Sequence, residues 1–125
     1  MTRASARDFG ERSETAAADF LFAGGYRILA RNFSAPGGEV DIVAAREGVI
    51  AFVEVKARAE VEAALASITP AKRRRLSRAV ATWVARNPWA GQGWTLRADA
   101  VVLDASRPPL HIEDAFALEF EDRCP

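Results

Sequence analysis

The sequence predicts an α/β domain built in the order helix, three strands, helix, strand. Three observations carry this. Two apolar, strand-like runs, Gly38-Glu39-Val40-Asp41-Ile42-Val43 and Phe52-Val53-Glu54-Val55-Lys56, stand close together. A later stretch opens with Thr69-Pro70 and places Leu76, Ala79, Val80, Trp83 and Val84 at i, i+3, i+4, i+7 and i+8. Finally, half of the 125 residues are apolar, enough for one globular core but in a chain too short for two domains.

Taken in order, residues from about Asp8 to Ala23 read as the first helix, stopped by Gly24-Gly25. Its apolar side includes Ala17, Ala18 and Leu21, and Glu14 lies on the same stripe. Such a glutamate either meets a metal or a cation, or lies at the stripe's exposed edge near the helix start, where the helix dipole favours an acid. Tyr26 to Phe33 reads as a first strand, broken by Ser34-Ala35-Pro36-Gly37-Gly38. The second and third strands, about residues 39–46 and 49–58, are joined at Arg46-Glu47-Gly48 as a hairpin. In the third, Ala51, Val53, Val55 and Ala57 form the expected core face.

Between Ala59 and Ser67 the spacing of Val61, Leu65 and Ile68 suits a helix, and a loop beside the strands is equally tenable. The second helix has a hydroxyl N-cap, Thr69, and a proline at its first position. Lys72 falls on its inward side, with Arg74, Arg75 and Arg78 outward. Asn87 to Gly93 is a turn, and Trp94 to Leu103 alternates as a strand on which Arg97 and Asp99 share a face, with Asp99 either paired to Arg97 or a further metal ligand. Trp83, Trp89 and Trp94 serve packing or could stack a base. Arg107-Pro108-Pro109 breaks the chain before a short Leu110-His111-Ile112 run, with His111 in a structural role and the following segment unassigned.

Composition excludes several chemistries. The one cysteine, Cys124, rules out an intrachain disulfide, and the one histidine, His111, rules out multi-histidine zinc sites. No nucleotide-binding glycine loop and no Gly-x-Ser-x-Gly is present. No apolar run approaches ~20 residues and the N-terminus leads into no signal-type apolar region, so a cytoplasmic protein without a membrane span is expected. The formal charge is zero. Yet residues 70–87 hold Lys72, Arg73, Arg74, Arg75, Arg78 and Arg86 and no acid, balanced by Glu113, Asp114, Glu119, Glu121 and Asp122. A neutral sum can thus hide a basic face, either an ordinary solvated one or one that contacts phosphates.

Carboxylates and lysine must therefore carry any catalysis. Alternate side chains of a strand share a face, so Glu39 pairs with Asp41 and Glu54 with Lys56. An aspartate followed on the next strand by Glu-x-Lys suits phosphodiester hydrolysis with a divalent ion. Mg²⁺ takes hard oxygen ligands, one or two carboxylates with waters and substrate phosphate. Asp41 and Glu54 are the expected ligands, and Lys56 the charge beside the attacking water or the developing oxyanion. The plain alternative is a surface hairpin pairing acid with lysine.

Taken together, these residues resemble the PD-(D/E)xK nuclease superfamily, and within it the YraN-type family of small bacterial endonuclease-like proteins. The resemblance rests on Gly10, Glu14 and Ala17; Gly25-Tyr26-Arg27-Ile28-Leu29 with Asn32; and the two acid-bearing runs with Arg58. It continues through Lys72, Arg75-Leu76, Arg97 with Asp99, His111-Ile112 and Ala115-Phe116. Ser13, Ala57 and Ala98 depart from the family's usual glycine, threonine and aromatic. The resemblance implies a restriction-endonuclease-like core, a central mixed sheet flanked by helices. It implies Asp41 and Glu54 as ligands of Mg²⁺ or Mn²⁺, Lys56 as the catalytic lysine and Glu14 as a supporting acid. The expected function is metal-dependent DNA hydrolysis, with branched DNA suggested by the fold's likeness to Holliday-junction resolvases. Lys72, Arg74, Arg75 and Arg78 are the expected DNA contacts. A homodimer would suit cleavage of two strands, and the alternative function is a catalytically idle nucleic-acid-binding module.

Overall fold

The computed structural model describes residues 6–57, 60–104 and 106–120, with side chains from Gly10 onward. Expectations resting on Arg58, Glu121, Asp122 and Cys124 lie outside the described residues. The elements are α1 (Ala6–Ala23), β1 (Arg27–Ala35), β2 (Gly38–Arg46), β3 (Val49–Ala57), α2 (Val61–Ala66), α3 (Pro70–Arg86), a 3₁₀ turn (Pro88–Gly91), β4 (Thr95–Asp104) and β5 (Arg107–Phe116).

The strands form one sheet in the order β1-β2-β3-β4-β5. All neighbours are antiparallel except β3 and β4, which run parallel. That one parallel pair follows from the helical crossover through α2 and α3, since parallel neighbours need a long connection. The result is a mixed central sheet with helices, consistent with the restriction-endonuclease-like core that the resemblance implies.

Each helix is held by the apolar stripe visible in its sequence. On one sheet face Ala17, Ala18 and Leu21 of α1 bury Ile42, Ala44, Ala51, Val53 and Val101. On the other, Leu76, Ala79, Val80 and Trp83 of α3 bury Val40, Val43, Ile50, Phe52, Ala98 and Ala100. The Thr69 side chain accepts the Lys72 amide at 3.3 Å, capping the first turn of α3. Gly38 permits the close approach of α3 to β2. A Cβ there would lie 1.8 Å from the Arg75 carbonyl oxygen.

The β2–β3 hairpin closes at Arg46↔Val49. Glu47 (φ 50°) and Gly48 (φ 80°) both adopt the left-handed backbone of a type I′ turn. Two expectations are corrected, and one choice left open is decided. β3 is buried on both faces, because it is the middle strand and each face meets a helix. The ambiguous stretch after it contains the short helix α2. The proline pair does not end strand structure, since β5 is an edge strand whose outer side has no ladder to lose.

Candidate active site

The β2–β3 ladder ends at Ile42↔Val53, and Asp41 and Glu54 are the first residues of the two strands beyond it. There the strands part, and the Asp41 Oδ2 accepts the Val55 amide at 2.8 Å in place of a backbone carbonyl. On β1 the residue facing this break, Asn32, has φ 50°. Burial, then the neighbouring Glu54 charge, raise the Asp41 carboxyl to about 7, against the Val55 hydrogen bond that lowers it. Glu54 is also raised, chiefly by burial, while the ammonium groups of Lys56 and Lys72 work the other way. Two half-buried carboxylates are thus held near one another against their own repulsion.

Lys56 lies on the same face of β3 as Glu54, with Nζ 3.2 Å from its Oε1. This is the alternation expected of a strand. Lys72 is exposed, not inward, but its charge still reaches Glu54. Glu14 comes from α1 on the other side of the sheet and is 5% exposed. It shares a cavity of about 520 Å³ with Asp41, Ser13, Asn32 and Ser34. Its partner is a cation of the protein itself, Arg31, whose Nε donates to Oε1 at 3.2 Å. Glu39 is exposed and adds negative charge to Asp41 and Glu54. Asp41 is therefore the junction of two clusters, with Glu14 on the α1 side and with Glu54, Lys56 and Lys72 on the α3 side.

Arg31 is not legible as a participant in the sequence, because nothing local ties it to a glutamate seventeen positions earlier. A second polar cluster shares this origin in long-range pairing. Asp99, fully buried, accepts two hydrogen bonds from Arg97 at 2.7 and 2.8 Å, one from the Asp114 amide at 3.0 Å, and one from His111 Nε2 at 2.7 Å. Burial opposes its ionisation, yet the bonds from His111, Arg97 and Asp114 hold its carboxyl below the ordinary value. Arg97 also donates to the Tyr26 hydroxyl at 2.8 Å. The Arg97–Asp99 pair is as expected from the strand. Its extension to His111 requires β5, whose register places His111 opposite Val101. This network pins β4, β5 and Tyr26, just before β1, together, with Asp99 opposite Val53 of β3, the residue before Glu54.

The uncharacterised protein family UPF0102 matches residues 13–103. The chain belongs to UPF0102. UPF0102 proteins of Methylobacterium nodulans and Rhodopseudomonas palustris are similar at 53% and 40% identity over 110 and 116 residues, covering 88% and 93% of this chain and 84% and 88% of those relatives. One from Methylorubrum extorquens is 54% identical over 95 residues, 76% of this chain and 73% of the relative.

UPF0102 is the YraN family, a PD-(D/E)xK nuclease-like family. For this UPF0102 protein the match spans Glu14, Asp41, Glu54, Lys56 and the whole of α3. Among its described residues no group of three His, Cys, Asp or Glu side chains is gathered as a ready-made metal site. The fit to a hard divalent cation rests instead on two mutually repelling carboxylates, the set that Mg²⁺ completes with waters and phosphate. Also among the described residues, no helix is long and apolar enough to cross a membrane.

Proposed function

We propose that this UPF0102 protein hydrolyses DNA phosphodiester bonds with Mg²⁺ or Mn²⁺ held by Asp41 and Glu54. The observation that supports this best is geometric: Asp41, held by the Val55 amide, and Glu54, held by Lys56, are the first residues beyond the end of the β2–β3 ladder, and burial with the Glu54 charge raises the Asp41 carboxyl. A carboxylate pair costly in the free protein becomes favourable around a divalent charge. When bound, the ion would polarise the scissile phosphate and lower the pKa of a water.

The chain's own groups supply the rest. Lys56 orients Glu54 through their 3.2 Å contact and sets an ammonium beside the attacking water. Asp41 is oriented by the Val55 amide on Oδ2, which leaves its remaining lone pairs for a cation. Glu14 acts at one remove, as a positioning acid in the Asp41 cavity. Lys72, Arg74, Arg75 and Arg78 are all exposed on α3 and meet the DNA phosphates. Branched DNA in repair or recombination is the substrate class that the fold resemblance favours.

The test is cleavage of supercoiled plasmid and of a four-way junction in Mg²⁺ or Mn²⁺. Activity should vanish in Asp41→Asn and Glu54→Gln; undiminished activity in both would assign it to a contaminant. An idle nucleic-acid-binding module is the second reading, and the Arg31–Glu14 ion pair, which already neutralises the supporting acid, is the observation on its side. Junction binding without cleavage across both metals would select it.

A further inference from the structure

At the opposite end of β2 from Asp41 lies a cavity of about 620 Å³, bordered by Arg27, Leu29, Arg46, Glu47, Trp89 and Trp94. Trp89 is a large apolar side chain left 43% exposed at its mouth. It is nonetheless held rigidly. Phe52, fully buried, meets Trp83 edge-to-face at 5.6 Å, Trp83 meets Trp89 at 5.8 Å, and Trp89 meets Trp94 at 5.7 Å. The 3₁₀ turn fixes the backbone, with the Ala90 amide bonded to the Asn87 carbonyl at 2.9 Å. Core packing accounts for Trp83, but not for a fixed indole facing open space.

The charges around it are unevenly engaged. Arg46 is occupied, donating to the Gly24 carbonyl at 2.8 Å, standing 4.4 Å over the Tyr26 ring and pairing with Glu113 at 3.7 Å. The Arg27 side chain is exposed and has no ion-pair or hydrogen-bond partner among the described residues. A basic track also leads here along α3. The Arg75 backbone abuts Gly38, the Arg78 side chain lies against Gly37, and the Arg86 guanidinium stands 5.6 Å over Phe33. All three therefore flank β1 and the β1–β2 turn. The helix that carries them holds Lys72, whose charge reaches Glu54, near its start and ends at Arg86, three residues before Trp89.

We propose that this cavity takes an unpaired nucleobase of a single strand, stacked on Trp89, with its adjoining phosphate met by Arg27. The inference rests on the reading that this protein's partner is nucleic acid, and extends it to strand type. Only an unpaired base can offer a face to a fixed indole, because in duplex both faces are covered by neighbours. Glu47, exposed on the rim, repels phosphate from that side and accepts from an exocyclic amine. Asp41 and Arg46 stand five residues apart on β2, about 17 Å in a strand. That matches roughly five stacked nucleotides at about 3.4 Å each. The pocket thus selects substrates with a single-stranded segment about five nucleotides from the carboxylates.

The experiment is fluorescence anisotropy with a labelled twelve-nucleotide single strand and a blunt duplex of the same sequence. It is run in chelator, so that cleavage plays no part. Trp89→Ala should weaken the single strand about 5- to 100-fold, the loss of one stacked base, and leave the duplex within about twofold. Trp89→Phe should restore most of the binding, and the single strand should quench wild-type tryptophan emission. Arg27→Ala, on an exposed strand edge outside the ring stack, should weaken the single strand by about 3- to 10-fold without loss of thermal stability. Equal losses on both DNAs, or none in Trp89→Ala and Arg27→Ala, would overturn the pocket while leaving the nuclease reading standing. No binding of either DNA to the wild type would remove the nucleic-acid reading itself, and the pocket with it.

Discussion

The Asp41 carboxylate takes the Val55 amide at 2.8 Å, standing in for a strand carbonyl at the point where β2 and β3 part. Structure and chemistry meet in that one hydrogen bond. The same oxygen-rich side chain that ends the ladder is held close to Glu54, and burial with that neighbour lifts its carboxyl to about 7.

The first prediction concerns pH in the metal-free protein. Because the Asp41 value is raised from 3.8 to about 7, the folded state binds this proton more tightly than the unfolded chain. Its stabilising contribution is complete below about pH 4 and is lost as pH rises through about 7. Asp41→Asn keeps an acceptor for Val55 but not the charge. In urea denaturation it should be more stable than wild type by about 1–3 kcal/mol at pH 8, and equal to it near pH 4. A gap that does not change with pH would refute the assigned burial.

Lys56 offers a separation of binding from chemistry. Lys56→Gln removes the ammonium 3.2 Å from Glu54 while leaving both carboxylates. Single-turnover cleavage should fall by about 10²- to 10³-fold, as for loss of one preorganised charge donor. Divalent-ion affinity should hold or rise. A variant cleaving at the wild-type rate would take Lys56 out of the mechanism.

The basic face of α3 predicts a salt dependence. Neutralising Arg74, Arg75 and Arg78 together should reduce the slope of log affinity against log salt for duplex DNA by about two to three, one for each phosphate no longer neutralised. Binding measured from about 50 to 200 mM salt reads this directly. An unaltered slope would move the phosphate track elsewhere.

Two glycines test the packing that delivers the site. Gly38→Ala would press a methyl group into the Arg75 carbonyl and should cost about 2–4 kcal/mol, separating α3 from β2. Gly10→Ala has nothing within 4 Å of its new methyl and lies inside α1, so it should stabilise by about 0.5–1 kcal/mol. Thermal melts of both variants, read side by side, check the opposing signs.

What the sequence reveals and conceals follows from the range of each interaction. Alternation places Glu54 and Lys56 on one strand face, and hydroxyl-proline capping locates α3, because both are local rules. The hairpin is legible in Glu47-Gly48 for the same reason. β5 is hidden by Pro108 and Pro109, whose tolerance depends on lying at a sheet edge, a property of the assembled fold. The partners of Glu14 and Asp99 are hidden likewise. Arg31 and His111 reach them only after strands far apart in the chain are laid side by side. Glu14 is recognisable as costly from its helical stripe, but its neighbour is not.

The mechanism requires that Asp41 and Glu54 jointly bind one hard cation. Titration of the purified protein with Mn²⁺, with the free ion followed by electron paramagnetic resonance, measures this binding without relying on cleavage. One ion should bind per chain in the wild type and in Lys56→Gln, displaced by excess Mg²⁺, and none in Asp41→Asn or Glu54→Gln. A wild type that takes up no Mn²⁺, or variants that bind it as well as the wild type does, would rule out the shared site.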